Sequence, residues 1–224
     1  MIPVVCLACW IPFTRQSIGH GVQTTPLPFA QEIAAFKEAD KRNPPAVGQI
    51  LFVGSSSFTK WVDVASYFPG RRILNRAFGG SSLPDVIRYA NDVIFPYQPK
   101  QIVIYCGEND FAGAPNLPAY VVLNRFKTLY QRIREKLPSV PIAYISMKPS
   151  PSRWHMRSKF VAANRWIAEF LSKEPSSAYI DVWNAMLDDR GRPKSNIFLS
   201  DQLHMNNLGY QIWQPIIEPF LVHN

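Results

Sequence analysis

Four short segments of the sequence combine glycines with side chains that could act as a nucleophile, a base or a hydrogen-bond donor. They are Gly54-Ser55-Ser56-Ser57, the segment NRAFGGS at 75–81, Gly107-Glu108-Asn109-Asp110, and the segment SDQLHMN at 200–206. Each has an ordinary structural explanation when taken alone, because serines cap helices and glycine or Asx residues form turns. Taken together, they are consistent with one catalytic site if the fold brings them to the same place.

A serine of the first segment becomes an effective nucleophile only when a neighbouring base accepts its proton. The chain has four histidines, and only His204 has a suitably placed acid, Asp201, three residues earlier in the same loop. An acid in that position would fix the tautomer of the histidine ring. The backbone N–H groups of the serine turn and of Gly80, with the side-chain amide of Asn109, would supply three donors to a developing oxyanion. This pattern predicts nucleophilic catalysis by a serine.

The elements that must position these residues follow from the alternation of apolar runs and amphipathic segments. Continuous apolar runs predict five strands that are buried on both faces, at 49–54, 71–76, 101–107, 141–147 and 178–183. Helical patterns follow the strands, at 58–68, 82–95, 119–137, 160–172 and 206–221. We predict an α/β fold, a three-layer α/β/α sandwich with a five-stranded parallel sheet in flavodoxin-like order. Because the carboxyl ends of parallel strands meet at one edge, the four polar segments are expected to converge there.

The 224 residues fit one domain, at 46–224, preceded by an N-terminal arm at 1–45. The arm contains one amphipathic segment, 29–42, which the segment NPPAVG ends. The first 13 residues are apolar like the hydrophobic part of an export signal, but they lack a preceding basic region. They are too short to span a bilayer. The sequence leaves open whether they are an export signal or a packed arm, with a periplasmic or secreted location favoured over a cytoplasmic one. The oligomeric state is also left open.

Several other classes of protein do not fit the sequence. The net charge is +8, but the basic residues are scattered rather than clustered, so nucleic acid is not an expected partner. Cys6 and Cys9 form one C-x-x-C without a second pair, and no histidine–carboxylate cluster has ligand spacing, so no metal site is predicted. The serine turn lacks the G-x-S-x-G pattern of α/β-hydrolases, since Phe58 stands where its second glycine would be.

The four segments, in this order, resemble the blocks of the SGNH or GDSL hydrolase superfamily, and the resemblance covers residues 49–224. It makes Ser56 the nucleophile, Gly80 the oxyanion glycine with Gly79 as the second choice, and Asn109 a further oxyanion donor. It also assigns Asp201 and His204 to the catalytic triad. One departure is Ser55, which stands where the family usually has aspartate. The residues of these blocks are most similar to those of platelet-activating-factor acetylhydrolases and bacterial acylhydrolases.

The resemblance implies a serine esterase that cleaves a carboxylic ester through an acyl-enzyme and needs no cofactor. Small acyl groups such as acetyl, on a carbohydrate or a simple alcohol, fit best because no long apolar lid is visible. A lysophospholipase or an acyl-thioesterase is the alternative enzyme, and a non-catalytic sugar-binding protein on the same fold is the alternative of another class. Arg153, Trp154 and His155 follow the fourth strand and are candidate substrate-binding residues at the rim of the site.

Overall fold

The computed structural model describes residues 27–223 and contains a sheet of five parallel strands. The strands are β1 (Ile50–Gly54), β2 (Ile73–Asn75), β3 (Gln101–Tyr105), β4 (Ile142–Ile145) and β5 (Ser177–Ile180). Their order across the sheet is β2-β1-β3-β4-β5, with every neighbouring pair parallel. The predicted α/β class, the five-stranded parallel sheet and the flavodoxin-like order are therefore confirmed.

Helices cover both faces of this sheet. They are α1 (Ala30–Arg42), α2 (Ser56–Thr59), α3 (Leu83–Arg88), α4 (Ala90–Val93), α5 (Glu108–Ala112), α6 (Ala119–Lys136), α7 (Arg157–Leu171) and α8 (Asn207–Ile217). Short 3₁₀ turns lie at Val64–Tyr67, Phe95–Tyr97, Trp154–Met156, Asn184–Met186, Ser195–Ile197 and Glu218–Phe220. Apolar residues of β1 alternate between the two layers of the core, with Leu51 and Val53 on one face and Ile50 and Phe52 on the other. This placement explains why the strand is apolar throughout.

The segment 58–68 differs from the single helix that its pattern predicts, because it forms only α2 and a separate 3₁₀ turn. Its residues Phe58, Trp61 and Phe68 are buried in an aromatic cluster instead of lying on one helix face, while Val62 is exposed. Trp61 stacks on Tyr210 of α8 with ring centroids 4.6 Å apart and packs edge-on against Trp213. Tertiary packing of a large indole ring thus outweighs the local helical pattern.

Helix α1 packs onto the domain although its sequence lies in the predicted arm. Ile33 is buried in the core, and Asp40 forms an ion pair with Arg76 beside β2. The Tyr97 hydroxyl also donates a hydrogen bond to Asp40 Oδ2 over 2.6 Å. We propose that α1 belongs to the same folded unit as residues 46–224. The apolar stretch at the N-terminus and the Cys6–Cys9 pair lie outside the described residues.

Gly54 ends β1 at the point where the chain turns into the serine segment. Its φ is +135°, and a Cβ placed on it would lie 2.0 Å from the backbone oxygen of Tyr105. We expect Gly54→Ala to lower the free energy of unfolding by about 3 kcal/mol or more, because both the clash and the backbone conformation oppose a side chain. Urea denaturation followed by circular dichroism measures this loss.

Gly191→Ala is the matched control for that measurement. Gly191 also has a positive φ, +69°, but a Cβ there would meet no atom within 4 Å. Gly191→Ala should therefore lower the free energy of unfolding only by the backbone strain, about 1 kcal/mol. Equal losses for the two variants would contradict the close approach of β1 to β3 at Gly54.

Candidate active site

The four polar segments converge at the carboxyl edge of the sheet, where the sequence pattern places them. Ser56 is the first residue of α2, two positions beyond the end of β1, and its Oγ lies 2.9 Å from His204 Nε2. His204 Nδ1 lies 2.6 Å from Asp201 Oδ2. Since an ionised carboxylate can only accept, Nδ1 carries the proton and Nε2 is free to accept from the serine hydroxyl. The three side chains form one continuous chain of hydrogen bonds.

The loop that carries Asp201 and His204 is held by its own backbone. Asp201 Oδ1 accepts hydrogen bonds from the N–H groups of Leu203 and His204, each over 2.9 Å. The N–H of Leu199 donates to the His204 carbonyl over 2.8 Å, which closes the loop. Partial burial of the Asp201 carboxylate opposes ionisation, but the His204 ring and these N–H donors outweigh it and lower its pKa to about 2. Asp201 is therefore ionised at neutral pH.

Two backbone N–H groups beside the serine are unoccupied by other parts of the described chain. Neither the N–H of Ser56 nor that of Gly80 donates a hydrogen bond to another residue within 27–223. Gly80 has a φ of +84°, and a Cβ on Gly79 would lie 3.9 Å from the Cβ of Ser56. The glycine pair thus brings its backbone close to Ser56. These N–H groups are available to bind a negatively charged oxygen.

Asn109 lies on the other side of the site, in the first turn of α5. Its Nδ2 donates hydrogen bonds to Ser55 Oγ over 2.7 Å and to the Ser81 carbonyl over 3.0 Å. Its Oδ1 accepts one from Arg153 Nη2 over 2.7 Å. Ser55, the departure from the family pattern, therefore supplies a hydroxyl oxygen as an acceptor for Asn109. Both N–H groups of the amide are occupied in this structure.

A buried cluster of charged side chains adjoins Asn109. Glu108 binds Lys148 Nζ over 3.0 Å and Arg153 Nη1 over 2.9 Å, and it also accepts from the Tyr105 hydroxyl. Burial opposes ionisation of Glu108, but the two cations outweigh it and hold its pKa below the usual range. The sequence predicts Glu108 only as part of its block and does not predict a role for Lys148. A lysine directly after a buried strand was the available signal, since an unpaired buried ammonium is costly.

The structure separates the three candidate substrate-binding residues. Arg153 lines the pocket beside Ser56, whereas His155 is exposed and lines a neighbouring depression, which it shares with Arg153, Pro115 and Lys159. Trp154 stacks on Trp183 with ring centroids 6.1 Å apart, and two arginine side chains lie over its ring. Of the three, only Arg153 borders the pocket that contains the serine.

The pocket itself is small and strongly polar. Its volume is about 230 Å³, including the part that opens to solvent. It is lined by Ser55, Ser56, Ser57, Tyr105, Cys106, Glu108, Asn109, Lys148, Arg153 and Leu203. Within the described part of the chain, no three or more His, Cys, Asp or Glu side chains are grouped closely enough to bind a metal ion. Among residues 27–223, no helix combines the length and apolar character needed to cross a bilayer.

Residues 50–212 match the model of the GDSL-like lipase/acylhydrolase family, which is more than half of the chain. The protein belongs to this family and is a carboxylic ester hydrolase. The suggested superfamily is thereby confirmed. No curated protein has a sequence that matches the chain.

Solved structures share the fold at low sequence identity. A Streptococcus pneumonia protein, provisionally described as a platelet activating factor, is 19% identical with a TM-score of 0.74, over 86% of this chain and 92% of that chain. A lipase/acylhydrolase from Enterococcus faecalis is 19% identical with a TM-score of 0.61, over 80% and 99%. A variant of an acetyl xylan esterase from Geobacillus stearothermophilus is 16% identical with a TM-score of 0.60, over 80% and 99%. At these identities the similarity establishes the fold.

Proposed function

We propose that the protein hydrolyses short-chain carboxylic esters, acetyl esters above all, through an acyl-enzyme formed on Ser56. The observation that carries this proposal is the chain of hydrogen bonds from Ser56 through the His204 ring to Asp201. A serine hydroxyl that donates to a neutral imidazole nitrogen can transfer its proton to that nitrogen as it attacks a carbonyl carbon. The orienting carboxylate stabilises the imidazolium that forms.

In the proposed reaction, the Ser56 oxygen bonds to the ester carbonyl carbon while its proton passes to His204 Nε2. The tetrahedral oxyanion accepts hydrogen bonds from the N–H groups of Ser56 and Gly80 and from the Asn109 amide. Asn109 exchanges one of its two present N–H bonds for this contact. The bond to the alcohol then breaks, and His204 gives its proton to the leaving oxygen. Water attacks the acyl group by the same route, which releases the acid and restores Ser56.

The size and polarity of the pocket support a short acyl group. Its lining includes the buried charged residues Glu108 and Lys148, so a long alkyl chain would have to cover charged groups without solvating them. The likeness to an acetyl xylan esterase is in line with an acetyl group carried on a carbohydrate. A carbohydrate acetyl ester is therefore the substrate class that we propose.

One observation supports the alternative of a lysophospholipid or thioester substrate. A cleft beside the loop of His204 is lined by the apolar side chains of Leu199, Met205 and Leu208, with Lys60 at its edge. Leu199 and Leu208 are exposed there. An alkyl chain could lie in this cleft while the lysine contacts a phosphate group.

We expect kcat/KM on p-nitrophenyl esters to fall by at least about 10-fold from acetyl to octanoyl, because a long chain does not fit the polar pocket. Initial rates across acetyl, butyryl, hexanoyl and octanoyl esters measure this dependence. The same assay with Ser56→Ala gives the background for each ester. A rate that rises with chain length would favour the apolar cleft and the lipid substrate instead.

The alcohol part of the substrate is tested with natural esters. We expect acetate release from acetylated xylan or xylooligosaccharides at a rate well above that of fatty acid release from lysophosphatidylcholine. The two products are measured separately with equal enzyme concentrations. Fatty acid release without acetate release would overturn the carbohydrate proposal.

A further inference from the structure

The two ends of the Asn109 side chain are nearly identical in shape, so packing alone does not decide which end faces the nucleophile. Hydrogen-bond partners decide it here. Arg153 has only donors, so the end of the amide that it contacts over 2.7 Å is the oxygen. The Ser81 carbonyl only accepts, so the other end is the nitrogen. Arg153 and Ser81 together place the N–H groups of Asn109 on the side of Ser55 and Ser56.

Arg153 is itself fixed by a buried ion pair. Its Nη1 binds Glu108 Oε2 over 2.9 Å, while its Nη2 binds the next residue, Asn109. The other carboxylate oxygen of Glu108 binds Lys148, whose side chain is 2% exposed, and the Tyr105 hydroxyl. The guanidinium therefore spans two successive residues of α5, which the planar geometry of its donors permits.

The charges of this cluster also suit an oxyanion. One carboxylate, Glu108, faces two basic side chains beside the pocket, Lys148 and Arg153. Burial lowers the pKa of Lys148, whereas the charge of Glu108 raises it. The Arg153 side chain is 16% exposed, so solvent only partly screens its charge. Arg153 polarises the Asn109 amide through its oxygen, which strengthens the amide N–H groups as donors.

We propose that Arg153, fixed by the Glu108–Lys148 ion pair, is a positioning residue that orients the Asn109 amide for the oxyanion. This inference rests on the proposed function and gives Arg153 a role other than the substrate binding that its position in the sequence suggests. Its action on the reaction runs through Asn109, and that dependence can be measured.

The test is a double-mutant cycle of Arg153→Met and Asn109→Ala, with kcat and KM measured on p-nitrophenyl acetate. Removal of one oxyanion donor lowers kcat by about 100- to 1000-fold. We expect Arg153→Met alone to lower kcat by about 10- to 100-fold relative to the wild type, because the Asn109 amide is still present but less well oriented. KM should change by less than about 3-fold. In the Asn109→Ala background the same substitution should change kcat by less than about 3-fold, because the amide that it orients is absent.

Arg157→Met is the matched control, since Arg157 lies on the same segment, packs over the Trp154 ring and donates its hydrogen bond to the Trp154 carbonyl. It should leave kcat within about 2-fold of the wild type. Arg153→Lys covers the case in which Arg153→Met fails to fold. A lysine keeps the charge opposite Glu108 but has a single nitrogen, so it cannot bind Glu108 and Asn109 with the same fork. We expect it to fold and to lose at least about 5-fold in kcat.

Three results would overturn the inference. They are equal losses of kcat in the two backgrounds, a raised KM with unchanged kcat, and full activity of a folded Arg153→Lys. The first means that Arg153 acts independently of Asn109, and the second that it binds substrate. Failure of the proposed function has a different signature, because Ser56→Ala would then hydrolyse p-nitrophenyl acetate as fast as the wild type.

Discussion

Replacing Ser56 with alanine is expected to lower kcat for p-nitrophenyl acetate by at least about 10⁴-fold. The Ser56 hydroxyl forms the hydrogen bond to His204 Nε2, and no other hydroxyl within residues 27–223 makes that contact. Alanine removes the oxygen that attacks the carbonyl carbon but leaves the backbone N–H in place. Activity that persists in the variant then comes from the oxyanion donors and from substrate binding.

Thr59→Ala is the matched control for the loss of a hydroxyl from the same helix. Thr59 lies at the other end of α2 and is exposed, so its removal should leave kcat within about 2-fold of the wild type. Labelling gives a second readout. A serine-reactive fluorophosphonate should modify the wild type once, on the peptide that contains Ser56, and should not modify Ser56→Ala.

Two outcomes of these assays would contradict the assignment. Wild-type turnover by Ser56→Ala would mean that another group is the nucleophile. A wild type that is inactive on every ester from acetyl to octanoyl, and that resists the fluorophosphonate, would favour the non-catalytic sugar-binding alternative. Binding of xylooligosaccharides without acetate release would then be the remaining activity to measure.

The three central strands of the sheet, β1, β3 and β4, could be predicted because they are buried on both faces and therefore appear as nearly unbroken apolar runs. Residues 101–105 of β3 are all buried, and the run is rich in β-branched residues. The helical pattern at 58–68 was less informative. There the burial of Trp61 against α8 depends on residues about 150 positions away, and no local pattern contains them.

The candidate site was predictable to the extent that its parts are local in sequence. Asp201 and His204 share one loop, so their contact follows from a spacing of three residues. The contact of Arg153 with Glu108 joins residues 45 positions apart, and nothing in the spacing of either residue indicates it. For this reason the sequence alone predicts Arg153 only as a residue of the rim.

Ser55 is a second residue whose contact could not be predicted from the sequence. The sequence identifies it as a departure from the family, but not what replaces the missing carboxylate. In the structure its hydroxyl oxygen accepts from Asn109 Nδ2 over 2.7 Å, so one acceptor remains and one negative charge is lost. Position 55 consequently contributes no negative charge beside the Glu108 cluster.

Replacing Asp201 with asparagine is expected to lower kcat by about 10³- to 10⁴-fold, with KM changed by less than about 3-fold. One oxygen of Asp201 accepts from the His204 ring, and the other accepts from two backbone N–H groups. An amide has only one acceptor end, so its NH₂ must face a donor on one of these sides. If it faces the ring, Nδ1 becomes the acceptor and Nε2 carries a proton toward Ser56, where it can no longer act as the base.

Acid conditions provide the second readout for Asp201, and the sign follows from its lowered pKa of about 2. A carboxyl whose folded pKa is depressed stabilises the native state above its unfolded pKa, about 3.9, and this contribution is lost as the pH falls toward 2. The difference in unfolding free energy between the wild type and Asp201→Asn should therefore shrink between pH 4 and pH 2.

For the kinetic measurement, Asp189→Asn is the matched control, because Asp189 is exposed. If its kcat falls as far as that of Asp201→Asn, loss of negative charge alone accounts for the effect. If only Asp201→Asn is slow, and remains slow at every pH from 5 to 9, the defect lies in the tautomer of His204, as the two-sided bonding of Asp201 requires.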